Sequence, residues 1–337
     1  MAEVQLNLGQ TQGISNVTFA PAPNAGGGRD LLVSSWDGAL SLYDVDANRC
    51  STSFIAGEGA APVLDCCFTD AAHAVSAGAD RTVKLFDLAS GESATLGTHK
   101  QPVKCAEYAA LQGAVVSAGW DRALHLWDPR QRGGAAAATI ELPDKAYTMG
   151  LSEGRIVVGM AGRHVYVYDL RNMVAEEQRR QSSLKYQTRC IRCFPNGSGY
   201  AVSSVEGRVA MEYFDEDPAV QARKYAFKCH RRREGDTDTV FPVNALAFHK
   251  GQGTFATGGC DGVVMMWDGE HKKKLTQYPA KATSVASLAF SHDDALLATA
   301  VSYTHEAGEP AEAPPPDQIF VRAPSEQDVC ARGAQRA

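Results

Sequence analysis

HAVSAGADRTVKLFD at residues 73–87 and AVVSAGWDRALHLWD at 114–128 are two copies of one device. Each is a short run of Val, Ala and Ser, a tight turn at Asp-Arg, and a returning run that ends on an aromatic residue and an aspartate. Two apolar runs flanking such a turn read as a β-hairpin. LLVSSWDGALSLYD (31–44) and TFATGGCDGVVMMWD (254–268) repeat it with Asp-Gly at the turn, and RIVVGMAGRHVYVYD (155–169) and YAVSSVEGRVAMEY (200–213) carry it more faintly. DQIFVR (317–322) is a worn last copy, which makes seven units. Alternation in VKLFD and LHLWD sets Val83, Leu85, Leu124 and Leu126 on the face opposite their polar neighbours, as a strand packed between sheets requires.

The units end at residues 44, 87, 128, 169, 213 and 268, in steps of 43, 41, 41, 44 and 55. The first four steps match the ~40–45-residue period of a WD-repeat propeller blade. A further strand precedes each hairpin, as in APVLDCCF (61–68), QPVKCAEY (101–108), TRCIRCF (188–194), PVNALAF (242–248) and TSVASLAF (283–290). The expected fold is all-β: a seven-bladed WD-repeat β-propeller with four-stranded antiparallel blades, forming one domain over 1–324 with a short flexible tail at 325–337. Three segments break the period. Residues 171–186 and 215–238 lengthen the connections around the fifth blade, and 302–317 inserts a flexible loop whose Pro-rich part, 310–316, is expected to be solvated.

The chain has 337 residues, with 33 Lys and Arg against 39 Asp and Glu, so it is no polycation built to coat nucleic acid or membrane. No apolar run approaches the ~18–20 residues that span a bilayer, and the start of the chain lacks the pattern of a secretory signal. The nine cysteines, among them Cys66, Cys67, Cys105, Cys190, Cys193, Cys229 and Cys260, are scattered through strand-like segments and read as reduced thiols of the cytosol or nucleus. Phosphate-binding, dinucleotide-binding and hydrolase motifs are missing from the sequence, so no catalytic residue and no cofactor is expected. Cys190 and Cys193 form a C-x-x-C within a strand, where that spacing points them to opposite faces, and no metal is expected there. His99, Ser117, Asp121 and Trp127 in the third unit, and His230, Thr257, Asp261 and Trp267 in the sixth, imitate a catalytic triad. The repeat explains their spacing as a buried hydrogen-bond chain tying a blade's turn to its own strands. The HKKK run at 271–274 reads as a solvated turn.

Charge is unevenly spread. From Arg171 to Arg233 there are 13 Lys and Arg against 7 Asp and Glu, a local +6 on a chain whose formal charge is -6. Such a sector suits an acidic or phosphorylated partner, although the count alone does not separate docking from accidental asymmetry. Residue identity breaks the tie. The turn between the second and third strands of each blade opens on one rim, and Trp36 and Trp120 stand immediately before the turn aspartates, where packing needs no aromatic. Tryptophans so placed are peptide anchors. Arg208 lies just beyond the equivalent turn of the fifth blade, Lys228 approaches the same rim, and Arg189 on the adjoining inner strand joins them. Such cations form charge-assisted hydrogen bonds to carboxylate or phosphate oxygens.

The strings LLVSSWDGALSLYDV, GTHKQPVKC, SAGWDRALHLWDPR, YVYDLRNM, SSLKYQTRCIRCFPN, SSVEGRVAMEYFD, KYAFKCHR and FATGGCDG together closely resemble the Bub-family WD-repeat protein of the mitotic spindle-assembly checkpoint. The resemblance runs from about Ile14 to Arg322. A sister family, the nucleoporin-binding mRNA-export factors, shares EGRVA and FKCHR-like segments, but DLRNM followed by SSLKYQTRCIR and the SSWDGALSLYDV opening look more like the checkpoint branch. The resemblance implies a non-catalytic adaptor that binds a short acidic segment of checkpoint kinases and recruits them to kinetochores by reading phosphothreonine motifs on the kinetochore scaffold. It implies a phosphate-contacting pair at Arg208 and Lys228, a kinase-segment contact at Arg189 and rim tryptophans at Trp36 and Trp120. The mitotic checkpoint complex is a further implied partner, with no direct nucleic acid or membrane. The implied location is the nucleus, and the kinetochore in mitosis, with a cytoplasmic pool. Gly26 to Gly28 in an enlarged first loop, the alanines at 135–138 and the Pro-rich insertion near 314 depart from the family pattern.

Overall fold

A computed structural model describes residues 3–9, 11–131, 133–152, 154–306, 308 and 313–330. The chain is a seven-bladed β-propeller whose blades are four-stranded antiparallel sheets. It divides into two compact units, one of Leu6–Gln181, the other of Ser182 onward together with the N-terminal residues up to Gln5.

The first unit holds four blades. Blade 1 is built of Ile14–Phe19, Asp30–Ser35, Ala39–Asp44 and Arg49–Ile55; blade 2 of Val63–Phe68, His73–Gly78, Thr82–Asp87 and Ser93–Thr98. Blade 3 comprises Val103–Ala109, Ala114–Gly119, Ala123–Trp127 and Ala138–Glu141, and blade 4 Ala146–Leu151, Arg155–Met160, His164–Asp169 and Gln178–Gln181. The second unit holds three. Blade 5 is Thr188–Cys193, Gly199–Ser204, Arg208–Tyr213 and Tyr225–Lys228; blade 6 is Val243–Phe248, Phe255–Gly259, Val264–Asp268 and Lys273–Gln277. Blade 7 takes Val285–Phe290, Leu297–Val301 and Gln318–Arg322, and its outer strand is the N-terminal Val4–Gln5, paired through Val4 with Val321 and Gln5 with Phe320. Glu3 anchors that outer strand through ion pairs to Lys281 and Arg322.

Sequence dictates this layout through burial on both faces of each sheet. The second strand of blades 1, 5, 6 and 7 is buried along its whole length, so those strands read as continuous small and apolar runs with no polar alternation. The apolar clusters join consecutive blades within a unit: Val75 and Val83 pack with Val115 and Trp127, Val116 and Leu124 with Met149 and Ile156, Phe194 and Val209 with Val243 and Phe255, and Val264 and Met266 with Val285 and Leu297. Trp127 lies so close over Gly97, on the outer strand of blade 2, that a Cβ there would fall 1.9 Å from its ring. Glycine inside that strand is therefore a packing requirement.

The segments expected to lengthen the connections around the fifth blade carry structure. Residues 171–186 contain the outer strand of blade 4, and 215–238 contain a helical turn Pro218–Gln221 capped by the Asp217 side chain and the outer strand of blade 5. A separate hairpin follows, Arg231–Glu234 paired with Thr237–Val240. Of the Pro-rich stretch, residues 310–312 lie outside the described residues, as do 331–337 of the expected tail. The tail's first residues form a helical turn, Glu326–Val329, closed by a capping box at Ser325 and Asp328, with Val329 buried and its carbonyl accepting from Thr254 Oγ1 at 2.8 Å.

Both histidine constellations are hydrogen-bond chains. His99 Nδ1 meets the Asp121 carboxylate at 3.1 Å, its Nε2 meets Ser117 Oγ at 2.7 Å, and Trp127 Nε1 donates to the same Oγ at 2.8 Å. His230 repeats this with Asp261 at 2.8 Å, Thr257 at 2.8 Å and Trp267 at 3.0 Å. Their reach is wider than a blade's own strands. His99 stands in the link that leaves blade 2, where its N–H donates to Arg81 O at 2.9 Å, so the chain ties that link to the turn of blade 3. Burial holds the His99 imidazole neutral, lowering its pKa from the ordinary 6.5 against the pull of Asp121. Neighbouring His125 is pushed down to about 4, by burial first and by His99 second.

Two consequences are measurable. His99→Ala leaves Ser117 and Asp121 without their shared partner and should cost about 2–4 kcal/mol in denaturant unfolding. Because His99 and His125 titrate below their unfolded value, the unfolded chain takes up protons first. Stability is then complete above pH 6.5 and falls as the pH drops from 6.5 toward 4, with a slope that His125→Asn should flatten.

Candidate functional site

Every blade fastens its second-to-third-strand turn in one way. The residue preceding the turn donates its backbone N–H to the carbonyl of the residue one before the start of the first strand, at 2.7–3.1 Å: Trp36 to Gly13, Ala79 to Pro62, Trp120 to Pro102, Ala161 to Lys145, Val205 to Gln187, Cys260 to Pro242 and Ser302 to Ser284. These seven positions are therefore equivalent. The fold accepts alanine, valine, cysteine or serine there, so the two tryptophans are not demanded by the bond. Trp36 is 54% exposed and Trp120 37%, on blades 1 and 3. Beside Trp36, at the same end of blade 1, Ile55 is also exposed.

A second repeated feature aims side chains at this end. In each blade the first strand carries one extra residue near the turn end, seen as a register shift at Ile14/Asn16, Val63/Asp65, Val103/Cys105, Ala146/Thr148, Thr188/Ile191, Val243/Ala245 and Val285/Ser287. Such bulges bend the strand and redirect the extra side chain. Arg189 sits in the bulge of blade 5. Its Nε and Nη2 donate to Asn244 Oδ1 at 3.1 and 2.8 Å, and Asn244, in the bulge of blade 6, donates onward to Val285 O at 3.1 Å.

Arg208 and Lys228 are brought together more directly. Thr188, Ser204, Arg208 and Lys228 form one row across the four strands of blade 5, with Arg208 opposite Lys228. Directly opposed residues in an antiparallel pair project to one side, and like charges so placed repel. Arg208 is about one-third exposed and Lys228 is exposed, so an anion from solvent can reach both. Gly207 positions the row: its φ is +63°, and a Cβ there would lie 2.8 Å from Cys229 O and 3.0 Å from His230 O.

Two neighbours escaped the reading of the sequence. Glu206, before that glycine, places its carboxylate 3.5 Å from Arg208 Nε. Arg231, on the added hairpin, donates from Nη2 to Glu206 O at 2.9 Å. The signals are present in EGR and in the CHRRR run that follows Lys228, but the hairpin that returns Arg231 to the turn carries no hydrophobic alternation to announce it. The nine cysteines are free, and burial pushes the thiols of Cys66, Cys67 and Cys229 up, away from nucleophilic thiolate.

The WD domain, G-beta repeat, matches residues 48–87, 91–128 and 227–268. The mitotic checkpoint protein BUB3.1 of Arabidopsis thaliana is 51% identical over 96% of this chain and 94% of its own. The chain belongs to the Bub3 family of mitotic checkpoint proteins. Another relative in this family, mitotic checkpoint protein bub3 of Dictyostelium discoideum, is 42% identical over 94% of this chain and 93% of its own. The mRNA export factor GLE2 of Chaetomium thermophilum is 34% identical over 91% and 85%, so the Bub3 family shares its repeat frame with RNA-export proteins.

Because blades 2 and 4 carry alanine at the position of the tryptophans, Trp120→Ala should change unfolding stability by no more than about 0.5 kcal/mol. Gly207→Ala, forced into positive φ against two carbonyls, should lose about 1–3 kcal/mol in the same measurement.

Proposed function

We propose that this protein is a non-catalytic adaptor of the spindle-assembly checkpoint, binding a short acidic segment of checkpoint kinases and recruiting them to kinetochores by reading phosphothreonine on the kinetochore scaffold. Family membership supports the checkpoint role. The observation that carries the finer reading is the opposition of Arg208 and Lys228 across one strand pair, which sets two cations side by side with a single carboxylate, Glu206, near Arg208. A phosphothreonine brings a charge of about -1.5 to -2 and three acceptor oxygens, more than any unmodified side chain offers.

Trp36 and Trp120 are proposed aromatic anchors for a partner peptide, and Arg189 is proposed in its own right as a basic contact for one. The guanidinium of Arg189 is oriented in advance by Asn244, which lowers the ordering cost of binding. The histidine, serine or threonine, and aspartate side chains that imitate a catalytic triad are bound up in the fold, which supports an adaptor and leaves them no role in turnover. The proposed location is nuclear, moving to kinetochores in mitosis.

A second reading, a nucleoporin-binding RNA-export adaptor, draws on the relatives named for export, among them the poly(A)+ RNA export protein of Schizosaccharomyces pombe at 30% identity. The higher identity to checkpoint proteins favours the first.

Calorimetric titration of a threonine peptide from the kinetochore scaffold, with and without phosphate, separates the two. Phosphate should tighten binding to the wild-type protein, and Arg208→Ala or Lys228→Ala should weaken the phosphorylated complex by roughly 10- to 100-fold, the worth of a charge-assisted hydrogen bond. Equal affinity for both peptides, with the proteins folded, would shift the assignment to the export reading.

A further inference from the structure

We infer that Glu206 is a specificity residue of the proposed phosphate site: its carboxylate occupies Arg208 in the unbound protein, so that a dianionic phosphate displaces it and a single carboxylate does not. The inference rests on the phosphothreonine reading above and adds to it a reason why acidic side chains do not imitate the ligand.

Glu206 is the turn acid of its blade. By the seven equivalent turn bonds it corresponds to Asp121 and Asp261, each of which spends its carboxylate on a histidine and on the turn's own N–H. Blade 5 lacks the histidine chain. The link leading into it, SSLKYQ at 182–187, contains no histidine, and Val202 stands where Ser117 and Thr257 stand in blades 3 and 6. With the histidine chain missing, the acid meets Arg208 instead.

The backbone of Glu206 is held on both sides. Its N–H reaches Ser204 Oγ at 3.4 Å and its carbonyl accepts from Arg231 Nη2 at 2.9 Å, so the carboxylate is kept beside Arg208. Its side chain is 16% exposed, against 32% for Arg208. At 3.5 Å the pair is looser than a charge-assisted hydrogen bond, which runs about 2.7–2.9 Å. An incoming Asp or Glu would exchange one carboxylate for another with little net gain. A phosphate carries more charge and more acceptors, and it gains Lys228 as well.

The test uses one scaffold peptide in three forms, with threonine, phosphothreonine or glutamate at the same position, titrated into the wild-type protein, Glu206→Gln and Glu206→Ala. Thermal unfolding checks that all three proteins are folded. The wild-type protein should bind the phosphorylated form and discriminate against the glutamate form. Both variants should bind the glutamate form about fivefold more tightly than wild type while leaving the threonine form unchanged, which narrows the discrimination. Phosphate preference in the wild type with unaltered glutamate binding in both variants would overturn the role of Glu206 alone. No phosphate preference in the wild type would overturn the phosphothreonine reading and this inference with it.

Discussion

One backbone hydrogen bond, made once in every blade, sets the terms for the rest of the molecule. The N–H before the second-to-third-strand turn reaches the carbonyl just before the first strand, and it closes the end of a sheet whose second strand is buried over all or nearly all of its length. A buried N–H without a partner is costly, so the turn is held in one place relative to the first strand. Only the backbone of the donor residue is committed. Its side chain is left for use at the surface, and the chain places alanine at two of these positions and tryptophan at two others.

The blades were legible because the burial that drives them leaves a periodic mark. Hairpins at 31–44, 73–87, 114–128, 155–169, 200–213 and 254–268 coincide with observed strand pairs to within a residue or so, since two-sided burial demands small apolar runs and the turn demands Asp or Gly between them. The histidine chains were legible too, as a fixed spacing of polar residues inside apolar strands. The wider reach of His99 was not, because a link between blades has no period of its own.

What the sequence concealed lies where burial is one-sided or absent. Val4–Gln5 is two exposed residues long and owes its place to pairing with Val321 and Phe320, far along the chain. The hairpin from Arg231 to Val240 is mostly charged, so hydrophobic alternation could not reveal it, although Gly235-Asp236 between its strands is turn chemistry. At the candidate site, residue type pointed to Arg189, Arg208, Lys228, Trp36 and Trp120. It could not reveal that Arg208 and Lys228 are in register, because register follows from the length of the connection at 215–224 and the helical turn folded within it.

Repetition also explains how one turn position can hold different side-chain chemistry without weakening the propeller. Blades 3 and 6 spend their turn acids on histidine chains that stabilise the fold, whereas blade 5 fastens its turn by backbone bonds and by Arg231 from the added hairpin. The missing histidine chain is thus offset by a contact that brings a cation to the turn. In a blade without that histidine chain the turn acid is left to pair with Arg208, which stands opposite Lys228. The same turn position thus serves a buried hydrogen-bond chain in blades 3 and 6 and an ion pair in blade 5, where the +6 segment of sequence supplies the cation.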